Sequence, residues 1–318
     1  MAKLSIIIPV YYNEQNLAPL YEDIREKIIT PALFDYEIVM VDDGSGDGSW
    51  DEMEKIAAMD ENVSIYHLSR NFGSHAAILC GLEHCSGDCA VVKAADLQEP
   101  TEIIPEMFAR WQEGYNVVLA VREGREESAS KKAFADFYYW MVRKFALKQM
   151  PKNGFDTYLI DRRVIEVLQL MDEKNSALTG QILWSGFKTA EVPYVRRERK
   201  IGKSRWTLQK KIRLVMDTLY SFSTVPITVV TLVGAAAFII SLIWGLVVLI
   251  NKIAGNIPVS GFTTMFIFQL FSFGITMTTL GVIGGYLWGT FDSSRNRPNY
   301  IIENDNREDG SASPRERR

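Results

Sequence analysis

Two stretches without a charged residue constrain this chain more than any other feature. Val225–Ile250 runs for 26 residues and Phe262–Phe291 for 30, and neither contains Asp, Glu, Lys or Arg. At about 1.5 Å per residue, either can cross a hydrocarbon core of about 30 Å with some tilt. The alternative, two core helices of a soluble domain, rarely needs apolar runs so long. The connection Asn251–Gly261 carries one charge, Lys252, whereas Arg196–Arg213 holds nine Lys or Arg against one Glu, and Arg295 and Arg297 follow the second stretch. Basic residues outside both ends and almost none in the hairpin predict a multi-pass protein of the cell (inner or plasma) membrane with both termini in the cytoplasm. Trp206–Phe222 puts Leu208, Ile212, Val215, Leu219 and Phe222 on one helical face. With Lys210, Lys211 and Arg213 nearby, it reads as an amphipathic juxtamembrane helix over 206–222, a soluble helix on a core being the alternative. Gly281, Gly285 and Gly289 give the second span a small-residue surface for close packing, against the first span or in a homo-oligomer. Residues 303–318 are polar and charged and predict a disordered cytoplasmic tail.

Whole-chain averages conceal this division. The 318 residues are 47% hydrophobic and 23% charged with a net charge of −4, values that exclude wholesale disorder and argue against a general nucleic-acid binder. Cys80, Cys85 and Cys89, unevenly spaced and short of ligand neighbours, predict reduced thiols, not a disulfide frame or a zinc site. The apolar run at the start, ending before Tyr12-Asn13-Glu14, is too short for a signal peptide.

From the start to about Lys200, short β-branched runs alternate with helix-like segments. Leu4–Val10, Tyr36–Val41, Ser64–Leu68, Ala90–Lys93 and Val117–Val121 read as strands. Asn13–Ile29, Trp50–Met59, His75–His84 and Glu102–Gln112 read as helices. The alternation predicts an α/β domain over residues 1–205 with a mostly parallel, Rossmann-like sheet covered on both faces. Ligands of such sheets bind at the carboxyl ends of the strands, where the acidic and glycine-rich turns fall.

Asp42-Asp43-Gly44-Ser45-Gly46-Asp47-Gly48, with Glu54, matches the spacing of a calcium-binding EF-hand loop. A strand precedes it where that loop needs a helix, which leaves a turn or carboxylates presented to a nucleotide base or ribose. Asp96-Leu97-Gln98-Glu99-Pro100 is a second carboxylate cluster, whose hard oxygens suit Mg²⁺ or Mn²⁺ bound with a diphosphate, or simply cap a helix. The phosphate loops GxGxxG and GxxxxGK[ST] are absent, as is the nucleophile elbow G-x-S-x-G. His67, His75 and His84 share no helical face and make poor metal ligands; His75, just after Arg70-Asn71-Phe72-Gly73, is either a ligand contact or structural, and the other two are structural or exposed.

Four motifs in order carry a resemblance: Ile6-Ile7-Ile8-Pro9-Val10-Tyr11-Tyr12-Asn13-Glu14, Val41-Asp42-Asp43-Gly44-Ser45, Ser69-Arg70-Asn71-Phe72-Gly73 and Ala95-Asp96-Leu97-Gln98. With the two apolar stretches, the chain resembles polyisoprenyl-phosphate glycosyltransferases of the inverting GT-A type: bacterial undecaprenyl-phosphate sugar transferases and dolichol-phosphate mannose synthases. The resemblance runs from about Leu4 to Ile302. It implies a GT-A catalytic domain and a nucleotide pocket lined by Pro9, Tyr11, Glu14, Asp42, Asp43 and Arg70. Asp96, a donor-site residue, matches the second Asp of the family's DxD metal motif, with Gln98 beside it, while Ala94 replaces the first Asp. Asp156, before Leu159-Ile160-Asp161-Arg162, matches the catalytic Asp. Asp161 is the rival, more naturally a structural partner of Arg162. Arg199-Lys200-Ile201-Gly202-Lys203-Ser204-Arg205-Trp206 matches the family's basic segment, with Gly202 where processive polymer synthases carry Gln.

The implied reaction joins two anions, a nucleotide diphosphate leaving group and a lipid phosphate acceptor. Arg122, Arg125, Arg199, Lys203 and Arg205 are therefore candidates to hold phosphates, and Asp96 with Gln98 to hold Mg²⁺ or Mn²⁺. Lys131 and Lys132 suit solvent or headgroups. The expected partners are a nucleotide sugar, most simply a UDP-sugar, polyprenyl phosphate and the membrane. A GDP-mannose-dependent synthase and a non-catalytic GT-A scaffold are the alternatives.

Overall fold

The computed structural model describes residues 2–123, 136, 139–171, 177–197, 221–254, 261–295 and 297–306. Arg125, Lys131, Lys132, Arg199, Lys203, Arg205, all but the last two residues of the expected juxtamembrane helix, and residues 307–318 lie outside them.

The strands are β1 (Lys3–Val10), β2 (Asp35–Asp42), β3 (Val63–Leu68), β4 (Cys89–Val92), β5 (Val117–Arg122), β6 (Phe155–Asp161), β7 (Thr189–Tyr194) and β8 (Ile302–Asp305). They form one sheet in the order β7-β5-β6-β4-β1-β2-β3-β8. Only β6 and β8 run against the others, so the mostly parallel sheet read from the sequence is the one observed. The helices are α1 (Glu14–Ile24, continued by a π-helical turn at Arg25–Ile29), α2 (Ser49–Met59), α3 (Ser74–His84), α4 (Ile103–Gln112), α5 (Arg162–Leu170), α6 (Leu178–Trp184), α7 (Val225–Ile253) and α8 (Phe262–Ser294).

Period-two alternation sends neighbouring side chains of one strand into different layers. Ile6 and Ile8 of β1 pack with Leu17, Leu20, Met53 and Met107 of α1, α2 and α4. Ile7, between them, packs with Ala77, Val164 and Ile165 of α3 and α5. That is why the central strands read as unbroken apolar runs.

The β-sheet continues past the apolar hairpin. The disorder expected from residue 303 is corrected at its start: Ile302–Asp305 pairs antiparallel with β3. The exposed edge of β3 has unpaired backbone groups, and pairing outweighs the polar composition of the segment. Asn306 extends the contact, its Oδ1 accepting from Ile65 N at 2.9 Å and its Nδ2 donating to Val63 O at 3.1 Å.

Helices α7 and α8 pack against each other, and Tyr286 Oη donates to Ser223 O at 3.0 Å. Val225–Val247 and Phe268–Ser294 have mean hydropathies of 2.4 and 1.5, with none of either most apolar window buried, so both are long and apolar enough to cross a membrane. A Cβ at Gly281 or Gly289 would have nothing within 4 Å, so these two glycines do not mediate the helix contact within this chain.

Candidate active site

Two loops at the carboxyl edge of the sheet are knitted together. Asp42, fully buried at the end of β2, accepts from His67 at 2.7 Å, from Ser45 N at 3.2 Å and from the Ser45 hydroxyl. The same hydroxyl accepts from Tyr12 N at 2.8 Å, and Glu14 accepts from Gly48 N at 3.2 Å. Asp43 accepts from Phe72 N at 2.7 Å and Gly73 N at 2.9 Å. Burial pushes its carboxyl up to about 6, against the pull of those amides, with Asp42 adding to the rise and Arg70 opposing it. Gly44 is required here: its φ is +65°, and a Cβ would lie 2.5 Å from the Arg70 carbonyl carbon. Pro9 pairs with Val41, Tyr11 packs edge-on to Tyr12 at 4.8 Å, and Arg70 lies 4.0 Å over the Phe72 ring. Pro9, Tyr11, Glu14, Asp42, Asp43 and Arg70 thus belong to one loop assembly. Asp42 and Asp43 differ from expectation in that their oxygens already hold the loops.

The second cluster follows β4. Asp96 is partly exposed, one oxygen accepting from Gln98 N at 3.2 Å. Gln98, expected beside Asp96 as a metal ligand, is engaged here by the segment after β7. Its oxygen accepts from Arg196 at 2.7 Å, its amide donates to Arg197 O at 3.3 Å, and its carbonyl accepts from Arg197 N at 2.9 Å. These partners fix which end of the carboxamide faces which group. Arg197 continues to Glu102, and Glu102 to Lys27 at 2.6 Å. Below lie Lys93 and Glu99, 1% and 2% exposed, with Lys93 Nζ donating to Glu99 O at 2.8 Å. Burial drives the Glu99 carboxyl upward, Asp96 adds to it, and Lys93, Arg196 and Arg122 oppose it.

Asp156 stands on β6, which runs against β4 and β5. Its first residues therefore meet the carboxyl ends of both neighbours, with Phe155 opposite Val121. The Asp156 carboxylate pairs with Arg122, the last residue of β5, whose partner in β7 is Tyr194. The proposed catalytic aspartate and one proposed phosphate-binding arginine, read separately from the sequence, are brought into contact. Asp161 lies at the other end of β6, where it caps α5 and pairs with Arg163 at 2.9 Å and Trp111 at 2.9 Å. It is structural as expected, with Arg163 as partner where Arg162 was expected; Arg162 grips Gly87 O and Cys85 O.

Among the described residues no group of three His, Cys, Asp or Glu could hold a metal by itself. The donor set fits a hard cation only as one shared with diphosphate oxygens, with Asp96 as the accessible carboxylate. The sequence reading placed Glu99 in the carboxylate cluster but missed its burial, and missed Lys93 and Arg196 as parts of the site. A lysine closing an apolar strand, next to the acidic turn, was the available signal.

The sequence profile described as Glycosyl transferase family 2 matches residues 5–165. A Bacillus subtilis protein called uncharacterized glycosyltransferase YkcC is 34% identical over 300 residues, covering 94% of this chain and 93% of its own. The bactoprenol glucosyl transferase of Shigella phage SfV is 33% identical over 305 residues, covering 95% and 99%. A prophage bactoprenol glucosyl transferase homolog of Escherichia coli is 32% identical over 302 residues, covering 95% and 98%.

Proposed function

The chain belongs to glycosyl transferase family 2, and from that premise we propose that it moves a sugar from a nucleotide donor, a UDP-sugar, to polyprenyl (undecaprenyl) phosphate. The transfer takes place at the cytoplasmic face of the cell membrane, inverts the anomeric carbon and serves cell-envelope glycan modification. The observation that carries this reading is where the chain leaves and re-enters the sheet. It leaves after Tyr194, which pairs with Arg122 at the carboxyl end of β5, and returns at Ile302, which pairs with Leu68 at the carboxyl end of β3. Tyr194 and Ile302, the sheet residues that flank the hairpin in the chain, both lie on the edge that holds Asp42, Asp96 and Asp156. A lipid-borne acceptor needs the active edge turned to the bilayer, with both flanks of the hairpin on one side of it. Residues 139–145, helical, add an exposed Trp140 and Phe145 with Lys144 Nζ 4.9 and 5.3 Å from their ring centres. Aromatic rings under a cation suit the headgroup level. The relatives named bactoprenol glucosyl transferases match this chain through the hairpin as well as the sheet domain.

The chemistry follows from charge. A phosphate acceptor is already largely deprotonated near neutral pH, so its oxygen can attack without a strong base. Asp156 orients the acceptor or the sugar hydroxyls at the anomeric carbon, and Arg122 offsets the anionic charge of the incoming phosphate. Attack in line with the departing diphosphate inverts the centre. A Mg²⁺ or Mn²⁺ ion held by Asp96 together with diphosphate oxygens would offset charge on the leaving group. The loops of Tyr11, Tyr12 and Asp42–Gly48 receive the nucleoside.

The test is sugar transfer by the full chain in vesicles containing undecaprenyl phosphate, with a panel of labelled nucleotide sugars. Asp96→Ala and Asp156→Asn should each lower turnover by about 10²-fold or more. Full activity of Asp156→Asn would remove it from the mechanism, use of GDP-mannose alone would reassign the donor, and no transfer from any donor would favour a scaffold.

A further inference from the structure

Arg196 stands between two oxygen acceptors and satisfies one. It donates to Gln98 Oε1 at 2.7 Å, while Glu99 Oε1 lies 4.0 Å from the same guanidinium. Among the described residues, Arg196 Nε and Glu99 Oε2 are buried atoms with no hydrogen-bond partner. Buried polar atoms are nearly always paired, so an unpartnered atom on each member of this loosely approached pair needs a reason. A shift of about 1 Å would convert the loose contact into a hydrogen-bonded guanidinium–carboxylate pair. That shift would draw Arg196 off the Gln98 oxygen. The backbone bond from Arg197 N to Gln98 O, at 2.9 Å, would still hold the turn after β4 to the segment after β7.

We propose that Arg196 is a positioning residue that trades Gln98 for the buried Glu99 when the donor site fills, releasing the Gln98 carboxamide oxygen beside Asp96 toward a hard cation. The proposal rests on the glycosyltransferase reading above and explains features that reading leaves unused. Arg196 holds Gln98 until the diphosphate arrives, and Glu99 is the second dock that keeps the guanidinium paired afterwards. Lys93, hydrogen-bonded to the Glu99 backbone, keeps that dock from being an isolated buried negative charge.

The experiment measures UDP affinity of the full detergent-solubilised chain by titration calorimetry, with and without Mn²⁺. Glu99→Gln, Arg196→Met and the double variant are compared with wild type. Glu99→Gln should weaken Mn²⁺-dependent UDP binding about tenfold and leave metal-free binding within about twofold. In the Arg196→Met background nothing competes for Gln98, so adding Glu99→Gln should change binding by less than about twofold. A merely structural Glu99 would lose the same factor in both backgrounds, which would overturn the proposal, as would an unchanged Mn²⁺ dependence in Glu99→Gln. Thermal unfolding of each variant shows that the chains compared are folded. Transfer by the wild-type chain in vesicles is measured separately. If that fails while the calorimetric pattern holds, the transferase reading falls and the exchange at Arg196 stands.

Discussion

Strand β2 carries a buried carboxylate near its start and another just past its end, and the two are treated in opposite ways. Glu37, 4% exposed, accepts from the Ser5 and Ser86 hydroxyls at 2.6 and 2.7 Å and from Gly87 N at 3.1 Å, and Lys3 lies 2.9 Å away. Burial alone would raise its carboxyl, yet these partners outweigh burial and hold it down at about 2. Asp43, 3% exposed, has two backbone amides and a like-charged neighbour, and burial wins. Glu99 repeats the upper pattern with an oxygen left unpaired. The amino edge of the sheet is finished internally; the carboxyl edge is left with unmet electrostatic demand. Under-satisfied buried charge marks an edge built to meet something from outside.

The largest effect that sharpens this contrast belongs to the amino edge. Glu37→Ala strips the partners of Ser5, Ser86, Gly87 and Lys3 together and should cost about 3–5 kcal/mol of stability. Any molecules that fold should keep wild-type UDP affinity, since this edge is remote from the site. Loss of UDP binding in a fully folded Glu37→Ala protein would break the division of labour. Next comes Gly44→Ala, which places a Cβ against the backbone of Arg70 at positive φ and should cost about 2–3 kcal/mol. Here stability and UDP binding should fall together, because this residue shapes the loop assembly. Thermal midpoints and calorimetry on the same preparations separate the two outcomes.

How much of this was legible in the sequence differs along the same division. Parallel strands, the helices between them and the apolar hairpin were readable because each is a run of residues with its own period. Asp96 and Asp156 were singled out as candidates through motifs. The contact between Asp156 and Arg122 was hidden, since it depends on β6 running backwards beside β5, and no local pattern carries strand direction. Strand β8 was misread because four polar residues become a strand only when β3 offers a bare edge. The role of Gln98 was obscured in another way: its oxygen is claimed by Arg196, 98 positions away in the chain.

The pH dependence of stability should carry opposite signs at the two ends of β2. Glu37 has a folded-state value of about 2 against an ordinary 4.5, so its contribution is present above about 4.5 and lost as pH falls toward about 2. Asp43 has a folded-state value of about 6 against 3.8, so its contribution is present below about 4 and lost as pH rises through about 6. Thermal midpoints between pH 2 and 7 test this. Glu37→Gln should flatten the acid limb, and Asp43→Asn should flatten the interval from about 4 to 6 while staying within about 1 kcal/mol of wild type at neutral pH. The same slope in both variants would sink the distinction.

The smallest effect concerns the strand that returns from the hairpin. His67 touches Asp42 at 2.7 Å on one side and approaches Glu303 of β8 at 3.8 Å on the other, so an ion pair could be taken as the clasp between β8 and the loop edge. The contacts argue for a different clasp. Glu303 is more than half exposed, and an exposed pair of this kind contributes about 0–1 kcal/mol. The β3–β8 ladder, the two bonds from Asn306, the bond from Ser69 N to Ile301 O at 3.0 Å and the part-buried Tyr300–Glu83 hydrogen bond are instead a set of contacts made together. Glu303→Gln should therefore leave amide exchange of residues 302–305 within about twofold of wild type, whereas Asn306→Ala, which uncaps two backbone groups of β3, should speed it about fivefold or more. Equal protection in both variants would mean that the ladder alone holds β8. Faster exchange in Glu303→Gln than in Asn306→Ala would mean that His67 ties the strand after the hairpin directly to the Asp42 loop.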